Sequence, residues 1–254
     1  MGLSGLFIPL AAAAAAALLA WLSHVLLHRH TLPDTGPAVG TAAGAVLSFF
    51  VVTMAFLLVN STGALTTARQ NNYAEAAAAV DLYLAAQQLP EPARHQLRGH
   101  TEEYLHQVIE VEWPQMAAER IDPATFAPAY HMRQIIQNLP VDVPVRASDD
   151  AHDAMVGLLT QRRIRMAAAN DGAPTFLLVT LAGAAVLSVL FLVLLGWPRG
   201  RRGIIAIGVV GGVLAFSIWL VLQIDHPYGS GIRVEPAAFD EALVRISAIR
   251  SAGY

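Results

Sequence analysis

Residues 36–89 read GPAVGTAAGAVLSFFVVTMAFLLVNSTGALTTARQNNYAEAAAAVDLYLAAQQL, and this stretch decides the fold. It opens as an apolar span, Ala38 to Val59, and turns polar at Asn60 without a helix breaker. Between Asn60 and Leu89 there is no Pro and one Gly, Gly63. The pattern predicts one long helix, its first half in a membrane and its second half in water. At about 1.5 Å per residue it would be roughly 75–80 Å long.

The faces of this helix differ. With about 100° per residue, Gly36, Gly40 and Gly44 fall within about 40° of the Gly40 direction, a ridge suited to close helix–helix contact. Phe49, Thr53, Phe56 and Asn60 fall on the opposite side, and the lane continues through Gly63, Thr67 and Asn71. Polar groups at membrane depth are costly unless they find a partner or water, so this lane is a candidate pore lining. The competing reading has Thr53 bonded to its own helix and the Phe rings facing lipid or a neighbouring helix.

The rest of the chain fits a membrane protein. Of 254 residues, 55% are hydrophobic and 14% charged, too apolar for an ordinary soluble domain. The net charge is −3 and no basic surface for nucleic acid is expected. All sixteen basic residues are Arg and none is Lys. Cys is absent, which excludes disulfides, Cys-ligated metal centres and thiol catalysis.

Leu3 to Leu27 is an uncharged run long enough to cross a bilayer. A signal peptide competes, but no Lys or Arg precedes the run, so a retained helix is expected. Pro33, Gly36 and Pro37 then turn the chain into the second span. Pro90, Pro92, Trp113–Pro114, Asp122–Pro123, Pro140, Pro144 and Gly172 divide residues 90–172 into helices, with one expected from Arg94 to Val111, one from Asp122 to about Leu139 and one opening at Ser148, Asp149 and Asp150. Residues 61–173 carry nine Arg against fourteen acids. Phe176–Leu195 and Ile204–Ile224 are the third and fourth spans, joined by a hairpin holding Arg199, Arg201 and Arg202. Gly208 and Gly212 form a GxxxG pair in the fourth, and Gly211 widens it. The expected architecture is therefore an all-α integral membrane protein. Transmembrane helices lie over 3–27, 38–60, 174–196 and 203–224, two before and two after a soluble helical domain over 61–173, with a polar C-terminal tail over 225–254. Counting Arg near the hairpins against Arg near the other ends weakly favours the hairpins inside.

Sites for chemistry are sparse. Glu103 and His106 form a Glu-x-x-His pair with Glu102 beside it, but di-iron bundles need a second such pair and two more Glu, so a solvated face is expected. His24 and His28, with His30 nearby, fit an interfacial position better than a metal site. No nucleophile elbow, phosphate loop or dinucleotide fingerprint is present. No metal, cofactor or enzyme activity is expected. Asp225-His226-Pro227-Tyr228-Gly229 reads as a turn at the membrane exit of the fourth span.

Several motifs resemble the bacterial bestrophin-like family, long carried as a domain of unknown function. They are the run Ala68 to Ala76, Leu89-Pro90-Glu91-Pro92-Ala93-Arg94, Glu112-Trp113-Pro114, Leu222 to Gly231, and Arg233-Val234-x-Pro236. The resemblance covers nearly the whole chain. It implies likeness to bestrophins, pentameric anion channels whose second span lines the pore with an apolar and aromatic neck. By that likeness Phe49, Thr53 and Phe56 form the neck and Asn60 its cytoplasmic mouth, with Thr67 beyond. The Pro-Tyr-Gly turn looks like the bestrophin Asn-Pro-Phe-Gly turn. The acidic run that follows it in calcium-gated bestrophins is replaced by Ser230, Gly231, Ile232 and Arg233, so calcium activation is not expected. The likeness also implies a cytoplasmic soluble domain in a multi-pass cell-membrane protein, against the hairpin count. The expected function is an oligomeric channel for an inorganic anion, its partners being lipid and further copies of itself. The rivals are an accessory subunit of a larger membrane complex, docked through the Gly ridges, and a membrane metalloenzyme using Glu102, Glu103 and His106.

Overall fold

The computed structural model describes residues 18, 37–118, 127–170, 172, 174–194, 201–229 and 231–253. All but Leu18 of the expected first span, together with His24, His28, His30 and Gly36, lies outside these residues, as does Asp122–Pro123. The described chain is all-helical, with no strand among the described residues. Its helices are α1 (Pro37–Ala85), α2 (Ala93–Gln107), α3 (Trp113–Ala117), α4 (Ala127–Gln137), α5 (Val145–Asn170), α6 (Thr175–Leu194), α7 (Arg201–Ile224) and α8 (Ala237–Ser251). Three of them, α1, α6 and α7, are long and apolar enough to cross a membrane.

The long helix forms as its sequence requires. Nothing between Pro37 and Ala85 breaks the hydrogen-bond ladder, and the interior Gly63 costs only about 1 kcal/mol relative to Ala. A turn of 3-10 helix, Ala86–Gln88, ends it ahead of Pro90. Two expected boundaries move. Trp113–Pro114 does not close the preceding helix: a π-helical turn over Val108–Glu112 leads into α3, and Pro114 falls in its first turn, where a missing N–H is tolerated. Helix α5 opens at Val145 rather than at Ser148–Asp150: the Pro144 carbonyl accepts the Ser148 N–H at 3.1 Å, which starts the helical ladder one turn earlier.

The chain divides into two units. The apolar unit holds residues up to Thr62 and Gly172–Asp225; the polar unit holds Gly63–Asp171 and His226–Tyr254. In the apolar unit, Phe50 and Leu57 of α1 pack with Leu181, Ala184 and Ala185 of α6 and Leu214 and Val221 of α7. The spacing of three, four and seven keeps each set on one helix face. Several hydroxyls here bond within their own helix. Thr180, Ser188 and Ser217 each donate to the carbonyl four residues earlier, at 2.7, 2.8 and 2.8 Å. The polar unit is a bundle of the second half of α1 with α2, α4, α5 and α8, closed around side chains such as Leu82, Leu97, Tyr104, Met132, Leu158 and Phe239.

Candidate functional site

Helix α1 shows three distinct faces in its apolar half. Phe50 and Leu57, at 4% and 0% exposure, form the face packed within the chain. It lies about 90° round the helix from the aromatic lane. In the lane Phe49 and Phe56 are 53% and 58% exposed, and Asn60, Gly63 and Thr67 are exposed in line with them. Thr53 sits on the shoulder between the two faces and is buried. On the far side, a Cβ added to Gly40 or Gly44 would meet nothing within 4 Å. In α7, Gly208 and Gly211 are buried and Gly212 is half-buried.

The polar unit is built around a buried ionic node that the sequence reading missed. Arg165 of α5, wholly buried, forms a two-pronged bridge to Glu75 of α1, Nε to Oε2 at 2.7 Å and Nη2 to Oε1 at 3.0 Å. The same Nη2 donates to Oε2 of Glu112 at 2.6 Å, and Arg162 donates to the other Glu112 oxygen. Two carboxylates thus balance two guanidiniums. Such pairing is required, because an isolated buried charge costs several kcal/mol. Burial alone would lower the Arg165 pKa, but the charge and hydrogen bonds of Glu75, with Tyr104 and Glu112, hold it well above its usual value. Arg165 also lies 5.9 Å from the centre of the Trp113 ring and 5.6 Å from that of Phe239, within cation–π range.

A second set of bonds orients this node. Tyr104 donates its hydroxyl to Glu75, and burial followed by the Glu75 charge pushes its pKa well up, so it stays a neutral donor. Trp113 donates from Nε1 to the Val234 carbonyl at 3.2 Å and meets Tyr228 and Phe239 edge-on. Tyr228 donates to Oδ1 of Asn72 at 2.8 Å, and burial raises its pKa as well. The turn carrying Tyr228 is tight: Gly229 N–H reaches the His226 carbonyl at 3.0 Å, and a Cβ at Gly229 would stand 3.0 Å from the Cβ of His226. Within this turn Asp225 is buried, and the Pro227 carbonyl accepts the Val234 N–H at 2.9 Å.

The motifs that are far apart in sequence therefore meet. Asn72 and Glu75, Glu112–Trp113, Tyr228 and Val234 all touch the node or its supports. Its charges are paired with one another, which makes it a clamp on the second half of α1. The π turn shifts the helix register at Glu112, where one extra residue per turn re-aims a side chain.

Glu102, Glu103 and His106 do not converge. Glu102 pairs with Arg250, Glu103 with His100 at 2.8 Å and His106 with Glu110 at 3.4 Å. Among the described residues no three His, Cys, Asp or Glu are grouped to hold a metal ion. No curated protein matches the chain. A family model described as the Bestrophin-like domain matches residues 10–239, a span that takes in α1 to α7, the ionic node and the Tyr228 turn, and the chain therefore belongs to the bestrophin-like family.

Proposed function

We propose that this protein is an oligomeric anion channel, α1 lining the pore. One observation carries the reading. Helix α1 packs within its own chain through Phe50 and Leu57 and leaves the Phe49–Phe56–Asn60–Thr67 lane exposed. Two large aromatic side chains, exposed beside polar ones on a helix apolar enough to cross a membrane, need an occupant for that face. Around a shared axis the occupant is the conduction path. The Gly40–Gly44 ridge, open on the opposite side, is then available to a neighbouring copy. Family membership supports the same reading, since the family is named for its likeness to pentameric anion channels.

In this mechanism the positive ring edges of Phe49 and Phe56 face a passing anion. Asn60, exposed in the same lane, replaces part of its water shell. The protein spans the cell membrane four times, over 3–27, 38–60, 174–196 and 203–224, and the polar unit lies in the cytoplasm. The same open Gly ridge also supports an accessory subunit docked on an unlike chain.

Anion flux from liposomes holding the purified protein, with its oligomer mass measured in the same detergent, tests the proposal. Chloride or iodide flux from a homo-oligomer is expected. The double variant Phe49→Ala/Phe56→Ala should change conductance or selectivity, and unchanged currents would remove the neck assignment. An absence of flux together with a co-purifying foreign chain favours the accessory subunit.

A further inference from the structure

Two cavities lined by described residues of the polar unit contrast in chemistry. One, of about 560 Å³, is lined between α2 and α4 by neutral groups such as Gln96, Gln134 and Asn138, with His100 and His131. The other, of about 370 Å³, lies between α4 and α5. Arg133, Arg162 and Arg163 border it, Ile136, Met155 and Leu159 form its apolar lining, and among the described residues no carboxylate lines it. Its size falls within the ~300–1,000 Å³ range of small-molecule sites.

The charges of these three arginines are balanced unequally. Arg162 is tied to Glu112. Arg163 uses Nε and Nη2 on uncharged acceptors of its own helix, the Leu159 carbonyl at 3.3 Å and the Thr160 hydroxyl at 3.1 Å. Arg133 has no ion pair among the described residues. Two guanidiniums thus stand without a carboxylate beside apolar side chains, of which Ile136 and Met155 are buried. Guanidinium groups match the planar or tetrahedral oxygens of carboxylate and phosphate, and the adjoining apolar side chains match hydrocarbon.

We propose that this cavity binds a small amphiphilic anion. Its oxyanion head is held by Arg133 and Arg163, and its apolar body lies on Ile136, Met155 and Leu159. Arg162 joins the cavity to the ionic node, so an occupied site bears on the Glu112–Arg165–Glu75 chain that holds α1. The proposal stands apart from conduction, because binding is read directly.

The test is calorimetric titration of the full-length protein in lipid nanodiscs, with empty nanodiscs subtracted. The probes are hexanoate and hexyl phosphate, with hexanol and inorganic phosphate as the tail-only and head-only controls. Saturable binding of at least one amphiphilic anion is expected, tighter than either control, and which one binds identifies the head. Arg133→Gln/Arg163→Gln should weaken it about tenfold or more, the size of a lost charged hydrogen bond. Both side chains are exposed, so the unliganded double variant should melt close to the parent. No saturable binding of either anion, equal binding by the double variant, or a control binding as tightly as the amphiphiles would each overturn the site.

Discussion

The apolar and polar units satisfy their polar side chains in contrasting ways. In the apolar unit Thr180, Ser188 and Ser217 each return a hydrogen bond to their own helix, and the helices meet through Phe50, Leu57, Leu181 and small residues such as Ala184. In the polar unit the buried charged groups bond between segments: Glu75 on α1, with Tyr104 on α2, Glu112 on the π turn, and Arg162 and Arg165 on α5. A membrane helix satisfies its backbone and hydroxyls alone, so its neighbours are chosen by shape. The second half of α1 is rich in Ala, which offers little shape to distinguish one partner from another. The ionic node supplies the missing specificity, as buried polar groups do in some helical assemblies.

The largest effect that tests this contrast is loss of Arg165. Arg165→Ala leaves Glu75 and Glu112 buried with only Arg162 to balance them and should destabilise the polar unit by about 3–5 kcal/mol. Chemical unfolding in detergent, followed by circular dichroism, measures this. Arg165→Lys should recover only part of the loss, because an ammonium cannot reproduce the two-pronged contact with Glu75. If Arg165→Ala costs less than about 1 kcal/mol, the node is ornamental and packing alone defines the bundle.

Helix type, the length of α1 and the apolar nature of α6 and α7 were legible because they depend on local pattern: the absence of breakers and the uncharged runs. The node was legible in principle and went unread. On α5 the buried stripe is Ala147, Ala151, Met155, Leu158, Arg162 and Arg165, spaced by three and four. Two arginines in phase with an apolar stripe signal buried pairing. Glu75, in phase with Ala68, Asn72, Ala79 and Leu82, is the same signal on α1. The π turn at Glu112 carries no such signal, because its extra residue follows from tertiary contacts that no local pattern records. Likewise the lane Phe49–Asn60 was legible as a face, but the burial of Thr53 follows from tertiary packing that no local pattern records.

A smaller effect sharpens the comparison through pH. Tyr104 and Tyr228 titrate above their ordinary value in the folded protein, chiefly because they are buried. The unfolded chain therefore loses these protons first as pH rises past about 10. Their contribution to stability is complete below that pH and falls as pH climbs toward the folded values. The melting temperature should drop above about pH 10, and Tyr104→Phe/Tyr228→Phe should flatten that drop. At neutral pH each lost hydroxyl should cost about 0.5–1.5 kcal/mol, with Tyr104 at the upper end because its acceptor is charged.

The smallest effect concerns Ser188, a buried hydroxyl in the apolar unit. Among the described residues its hydrogen bond runs to the Ala184 carbonyl, which already takes part in the helix ladder. Ser188→Ala removes donor and hydroxyl oxygen together, leaves no group on another helix unpaired, and fills the site with a side chain of good helical propensity. The expected change is within about 0.5 kcal/mol in detergent unfolding. A loss several times larger would mean that the Ser188 hydroxyl holds α6 to a second helix. Polar groups would then tie helices together in both units, and the division between shape-directed and charge-directed packing would fail.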